Sequence, residues 1–145
     1  LNIKTIFKIL IMNWIYKEKV ISEISEMPEG TIGFIYKITH NTTGQYYIGK
    51  KSLYSHRTLA PLKGYKRNRK VVKEMKWQDY CSSNDIVKTW TNEPITKEIL
   101  RFCQSKKALT YYELQEQFAN NVLADEKSLN ENLMGKFFKR DLEIS

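Results

Sequence analysis

The chain has 145 residues, of which 41% are hydrophobic and 28% are charged, and its formal net charge is +8. This length fits one domain with a substantial core, and the charged fraction argues against an integral membrane protein. The basic balance favours a polyanionic partner, of which nucleic acid is the commonest. A surface charged only for solubility is the competing interpretation.

The first thirty residues and the two cysteines carry no clear functional signal. The apolar run at residues 9–12 is too short and too interrupted to span a bilayer, so no membrane partner is expected and the predicted location is the cytoplasm. Residues 2–26 are predicted to form an amphipathic helix or a short strand around Trp14–Tyr16, and we assign residues 1–30 to an N-terminal extension. Cys81 and Cys103 have neither a metal-binding spacing nor a disulfide pattern, which indicates small apolar side chains in a reducing compartment.

The clearest local signal is a β-hairpin. Segments 34–39 and 46–50 are rich in β-branched and aromatic residues. Between them, residues 41–44 read Asn-Thr-Thr-Gly, which has turn chemistry. The pattern therefore predicts two antiparallel strands joined by a four-residue loop.

The predicted register brings two tyrosines together. Tyr36 is expected opposite Gly49, and Tyr47 opposite Ile38, so both tyrosines lie on one face of the ribbon. Gly49 should leave an open patch across from Tyr36, where another group could approach. Ordinary aromatic packing in a sheet is the competing explanation for the tyrosine pair.

The rest of the chain suits a small α+β domain. Residues 63–76 contain seven lysines or arginines and one glutamate. Residues 82–84 resemble a helix cap that opens a short helix to about residue 92, and residues 95–102 have strand composition. Residues 105–123 are the strongest helix candidate, with Ser105 as the N-cap. Apolar residues on two sides of this helix predict burial between two layers.

The paired motif Gly33-Phe34-Ile35-Tyr36 and Tyr46-Tyr47-Ile48-Gly49 resembles the GIY-YIG nuclease signature, with Phe34 as an extra residue in the first half. That family includes homing endonucleases, restriction enzymes and excision-repair nucleases, and the resemblance is closest to small phage-type members. It implies a three-stranded antiparallel sheet flanked by helices. The implied nuclease domain spans residues 31–132, which leaves residues 133–145 as a C-terminal tail.

The resemblance also implies a metal-dependent endonuclease site for DNA. Glu113 on the later helix would bind Mg²⁺ or Mn²⁺, and a sparse site of this kind suits Mg²⁺. Helical phase alone favours Glu116 for the buried acid, so both glutamates remain candidates. Asn130 would fix the geometry of the metal-binding glutamate from outside the metal site.

The other implied catalytic residues act on the water and the phosphate. Arg57 matches an arginine that the family carries on a helix after the hairpin, and it would stabilise the phosphate charge. Tyr36 would accept a proton from water, which requires nearby cations because a free phenol is protonated at neutral pH. Tyr47 would orient the water or the phosphate.

The basic region predicts contacts to duplex DNA, with Tyr65 and Trp77 as stacking platforms. Two rival functions are a non-catalytic nucleic-acid binding module and a structural protein whose tyrosines only pack. No zinc-finger spacing or helix-turn-helix follows residue 132, so specificity could be low, structural, or supplied by a partner or homodimer. The predicted DNA-binding residues are Lys50, Lys63, Lys66, Arg67, Arg69 and Lys70.

Overall fold

A computed structural model describes residue 3 and residues 13–142 of the chain. The strands are β1 (Trp14–Tyr16), β2 (Lys19–Ile21), β3 (Gly33–His40), β4 (Tyr46–Ser52), β5 (Tyr54–Leu59), β6 (Arg69–Glu74), β7 (Ile95–Cys103), β8 (Asn132–Leu133) and β9 (Phe137–Phe138). The centre of the fold is a mixed five-stranded sheet in the order β2-β1-β7-β3-β4, and two further pairs, β5-β6 and β8-β9, form separate two-stranded sheets. Within residues 13–142 there is one α-helix, α1 (Lys106–Ala119), with 3₁₀ turns at Ile24–Glu26, Val87–Thr89 and Lys139–Leu142.

The predicted hairpin is confirmed in both its strands and its register. Strands β3 and β4 pair antiparallel, with Tyr36 opposite Gly49 and Ile38 opposite Tyr47. His40 closes the loop because its Nδ1 accepts the backbone N–H groups of Thr42 and Thr43, each at 3.2 Å. These two hydrogen bonds fix the conformation of the loop and so help to set the register of the two strands.

The α+β class is confirmed, but the expected three-stranded antiparallel sheet flanked by helices is wrong. Strand β7 lies in the middle of the sheet, between β3 on one side and β1 on the other, and β1 pairs with it in parallel. The strand alternative around Trp14–Tyr16 is therefore confirmed, and it brings part of the segment assigned to the N-terminal extension into the sheet. The part of the helix alternative that falls on residues 2 and 4–12 lies outside the described residues. Trp14 is 1% exposed and meets Phe34 at 4.9 Å between ring centroids, so burial of this indole stabilises the addition.

The sheet separates two apolar clusters, and α1 covers only one of them. Leu109 of α1 packs with Ile35 and Ile48 on the helix side of the sheet. The expected burial of this helix between two layers is wrong, since Tyr111 is 63% exposed and Phe118 is 64% exposed. The predicted short helix at 82–92 is reduced to the 3₁₀ turn Val87–Thr89. Across the described residues, no helix is long and apolar enough to cross a bilayer.

The contact between β3 and α1 depends on a glycine. A Cβ atom on Gly33 would lie 2.6 Å from the carbonyl oxygen of Lys51 and 2.8 Å from Cδ1 of Leu109. Since a backbone carbonyl cannot move aside cheaply, Gly33→Ala should lower the free energy of unfolding by about 1–3 kcal/mol in urea titrations. The control is Ser52→Ala at the position paired with Gly33, which should change stability by less than about 0.5 kcal/mol. Equal urea midpoints for the two variants would contradict this close packing.

Candidate active site

The two tyrosines predicted to share a face do so. The ring centroids of Tyr36 and Tyr47 lie 6.2 Å apart. Gly49 lies beneath them, and a Cβ atom there would be 2.6 Å from the Tyr36 hydroxyl and 2.9 Å from Cε1 of Tyr47. The open patch predicted at Gly49 is therefore wrong, because the two tyrosine side chains fill that space.

Tyr36 is buried in the core rather than exposed to a substrate. Its ring is 1% exposed and packs edge-on against Tyr80, and its hydroxyl donates to Oγ of Ser82 at 3.2 Å. Burial raises the pKa of Tyr36 far above its ordinary value, and the neighbouring Tyr80 phenol raises it further. A proton-accepting phenol needs the opposite shift, so the role of Tyr36 in accepting a proton from water stays a prediction that its burial does not favour.

Tyr47 instead reaches a cleft of about 510 Å³ at the β4 edge of the sheet. Its phenol is half-buried, and burial raises its pKa while a contact with Ser83 opposes the shift. The cleft is polar along most of its wall. Its lining residues are Tyr47, Ser83, Asn84, Asp85, Glu113, Gln117, Asn130, Glu131, Asn132, Met134 and Gly135.

Glu113 is the partly buried carboxylate of this cleft. Its side chain is 20% exposed, and its Oε1 lies 3.9 Å from Nζ of Lys50. Burial raises the pKa of Glu113, and the Lys50 ammonium partly offsets that effect. Glu116, the competing candidate, does not line the cleft.

The cleft offers a cation three carboxylates, of which Asp85 and Glu131 are exposed and Glu113 is half-buried. No cluster of three or more His, Cys, Asp or Glu side chains with metal-binding geometry occurs among residues 13–142. A hard oxygen donor in an open polar cleft is nevertheless what Mg²⁺ accepts, because this ion keeps several of its own waters. Glu113 is the half-buried donor of that type on the cleft wall.

Asn130 is fully engaged with the edge strand β4. Its Oδ1 accepts the N–H of Ile48 at 3.0 Å, and its Nδ2 donates to the carbonyl of Ile48 at 2.8 Å. Gln117 of α1 donates to the same carbonyl at 3.1 Å. These side chains take the place of a neighbouring strand for the peptide next to Tyr47, so the structure gives Asn130 a backbone partner where the sequence suggested Glu113.

Three further residues at the site were missed by the sequence reasoning. Gln117 lies one helical turn after Glu113, and this spacing is a signal that the sequence did contain. Tyr80 and Ser82 contact Tyr36 across a long separation, which no local pattern indicates. Ser82 also has a left-handed φ of 95°, unusual for a residue other than glycine.

Arg57 lies outside the cleft wall, and the helix expected around it is wrong. It occupies strand β5, is exposed, and pairs with Val71 of β6. The segment adopts a strand because β6 brings Val71 and Val72 alongside it, and β-branched residues favour this conformation. The structure therefore brings Tyr36, Tyr47, Glu113 and Asn130 into one region and leaves Arg57 on a separate ribbon.

The predicted DNA-binding residues divide into two places. Lys50 is at the cleft, where its Nζ donates to Oγ1 of Thr110 at 3.1 Å. Lys63, Lys66, Arg67, Arg69 and Lys70 are all exposed, in β6 or in the loop that precedes it. Of the two predicted stacking platforms, Tyr65 is 72% exposed, whereas Trp77 is 0% exposed and cannot stack on a base.

The Asn130 contact yields a stability prediction. Asn130→Ala should lower the free energy of unfolding by about 1–3 kcal/mol, because the N–H and C=O of Ile48 lose their Asn130 partners in a buried site. Chemical denaturation measures the loss, with Asn68→Ala as the control because Asn68 is exposed. If both variants unfold at the wild-type midpoint, Asn130 does not hold the edge strand.

Comparison with known proteins finds a family model that covers most of the chain. A family model described as "Putative endonuclease segE, GIY-YIG domain" matches residues 14–138. The matched segment contains every strand of the central sheet, α1 and all residues that line the cleft. No curated protein and no solved structure matches the chain.

Proposed function

Because the chain belongs to the GIY-YIG endonuclease family, we propose that it hydrolyses phosphodiester bonds in duplex DNA with the help of Mg²⁺ or Mn²⁺. The observation that carries the proposal is the polar cleft in which Tyr47 and Glu113 meet beside the buried Tyr36. Nucleic acid as substrate follows from the family, whereas the duplex form, the ion and the residue roles are our inferences.

Glu113 is proposed as the residue that holds the divalent ion. When bound, such an ion lowers the pKa of a coordinated water and neutralises charge on the phosphoryl group. Lys50 lies 3.9 Å from the same carboxylate, where its ammonium favours the ionised form of Glu113 and can contact a phosphate oxygen. The raised pKa of Glu113 supports this assignment, because a partly buried carboxylate without full compensation favours an arriving cation.

Tyr47 is proposed to orient the water or the phosphate through its hydroxyl. It is the member of the tyrosine pair that lines the cleft. Tyr36 is then a positioning residue, whose ring packs against Tyr47 and whose hydroxyl donates to Ser82. Asn130 acts in a similar way, since it fixes the backbone at Ile48, directly after Tyr47.

Arg57 is proposed to bind DNA phosphate from outside the cleft. Its guanidinium is exposed, and no carboxylate of the described residues forms an ion pair with it. A planar guanidinium in this state can offer two parallel hydrogen bonds to a phosphate. The exposed lysines and arginines of the following loop would extend the same contact along the DNA backbone.

A plasmid-cleavage assay tests the proposed reaction. Wild-type protein should convert supercoiled DNA to nicked or linear forms with Mg²⁺ and not with EDTA. Glu113→Gln should reduce the rate by about 100-fold or more because it removes the charged ligand. Glu116→Gln is the matched control on the same helix and should cut at a rate close to that of wild type. DNA that is retained but never cut would favour the binding-module alternative.

The raised pKa of Glu113 gives a second, independent prediction. The folded protein binds this proton more tightly than the unfolded chain, so stability falls as pH rises from the ordinary value of 4.5 through the higher folded-state value. Glu113→Gln removes this loss and should raise the melting temperature of the metal-free protein at pH 7. Thermal unfolding in EDTA between pH 4 and 8 measures the effect, with Glu116→Gln as the control. A lower melting temperature for Glu113→Gln at pH 7 would contradict the burial cost.

A further inference from the structure

The β5-β6 ribbon is the part of the molecule least explained by the core. Residues 60–74 are exposed at every position, and the ribbon forms its own two-stranded sheet apart from the central one. Its apolar side chains are also exposed, including Tyr65 at 72% and Val72 at 59%. A segment that exposes both apolar and charged side chains contributes little to the core and is suited to contact a partner.

The two ends of the ribbon are anchored in the core that holds the tyrosines. Leu53, just before β5, and Trp77, shortly after β6, are both 0% exposed and belong to the same apolar cluster as Tyr36. The N–H of Met75 donates to the carbonyl of Leu53 at 2.8 Å, which closes the base of the ribbon. A partner bound along the ribbon is therefore held in a defined position relative to the catalytic domain.

The pairing register sorts the ribbon's charges onto opposite faces. Residues directly across an antiparallel pair share a face, and alternate residues along a strand change face. Arg57, Arg69 and Lys73 consequently lie on one face, which we call the arginine face, with Val71 between them. The other face carries Lys70 and the acidic Glu74.

The second face is also the one used for packing at the base. Tyr54 lies on it, is half-buried, and packs against the apolar core. Glu74 on the same face accepts a hydrogen bond from Nε1 of Trp77 at 3.2 Å. The three cations of the arginine face form no ion pair within residues 13–142, so their charges remain available to a polyanion.

We propose that the β5-β6 ribbon is a DNA-binding arm whose arginine face lies in the major groove of the duplex. This inference rests on the proposed function for the identity of the partner. Six residues per strand span about 20 Å, which corresponds to about six base pairs, and the major groove is wide enough to admit a two-stranded ribbon. Arg57, Arg69 and Lys73 reach the phosphates along the groove, and Val71 faces the base edges.

The test compares two lysines of the same strand on opposite faces. Lys73 pairs with Ser55 on the arginine face, and Lys70 pairs with Thr58 on the other, so each lysine has a hydroxyl residue opposite it. Binding to a fluorescent 30-base-pair duplex is measured by anisotropy in EDTA, at several salt concentrations between 50 and 200 mM. Lys73→Ala should weaken binding several-fold and reduce the salt slope by about 1, whereas Lys70→Ala should change the slope by less than half as much.

Further measurements exclude misfolding of a variant and test which groove of the DNA the ribbon occupies. Lys73→Arg should restore the wild-type slope, and thermal melting checks that every variant is folded. Methyl green, which occupies the major groove, should displace the protein, while distamycin, which occupies the minor groove, should not. Equal slopes for Lys73→Ala and Lys70→Ala, or displacement by distamycin alone, would overturn the proposal.

Failure here can be distinguished from failure of the proposed function. The binding assay needs no cleavage, and the Mg²⁺-dependent plasmid assay with Glu113→Gln needs no particular ribbon face. If the protein cuts DNA but Lys73→Ala and Lys70→Ala weaken binding equally, only the proposed DNA-binding arm is contradicted. If the two variants differ in binding but the protein never cuts DNA, the arm is supported and the proposed nuclease activity is contradicted.

Discussion

The register of the β3-β4 hairpin is the constraint on which the rest of the site depends. With Tyr36 opposite Gly49, both tyrosines lie on one face and their rings cover the glycine, which no larger residue could replace without displacing them. The same alternation sends Ile48 to the helix side, where it packs under α1. A slip of one residue would move each side chain to the opposite face. The same register therefore determines both the position of the tyrosine pair and the packing of the core beneath the helix.

The free edge of β4 is the second consequence of that arrangement. An edge strand leaves unpaired N–H and C=O groups, which must be satisfied or protected. The segment after α1 runs beside it, and the carbonyl of Tyr46 accepts the N–H of Leu129 at 2.8 Å. Asn130 and Gln117 then complete the contacts at Ile48. Asn130, Glu131 and Asn132 of this covering segment also line the cleft, so the segment that protects the edge supplies part of the polar wall.

Local patterns predicted the elements that local forces determine. The hairpin followed from alternation and turn chemistry, and Ser105 does cap α1, where its Oγ accepts the N–H of Ala108 at 3.0 Å. The sequence could not reveal that β1 would pair with β7, because the partners Trp14 and Lys97 are far apart in the chain. It also overestimated burial at Phe118, since an apolar side chain does not by itself indicate a second layer to cover it.

The sequence named candidate residues, but it could not predict how deeply each side chain would be buried. The family resemblance pointed to Tyr36, Tyr47 and Glu113, and the chemical role of each depends on solvation, which only the packing reveals. Tyr36 and Tyr47 are the same residue type on the same face, yet one is enclosed by the core and the other lines the cleft. Tyr36 is enclosed partly by Ser82, whose Oγ accepts a hydrogen bond from the Tyr36 hydroxyl. Nothing in the sequence indicated that the segment around Ser82 would contact the tyrosines.

The distribution of charge ties the cleft to the ribbon. The cleft wall carries the carboxylates Asp85, Glu113 and Glu131, whereas the excess positive charge of the 63–76 region lies on the ribbon and its loop. A polyanion approaching such a surface is attracted by the ribbon and repelled by the cleft. In the proposed function, a cation at Glu113 would offset these carboxylates and the ribbon would offset the remaining repulsion, so that phosphate can enter the cleft. Binding at the ribbon and cation binding at Glu113 would then be two parts of a single requirement for bringing DNA to Tyr47.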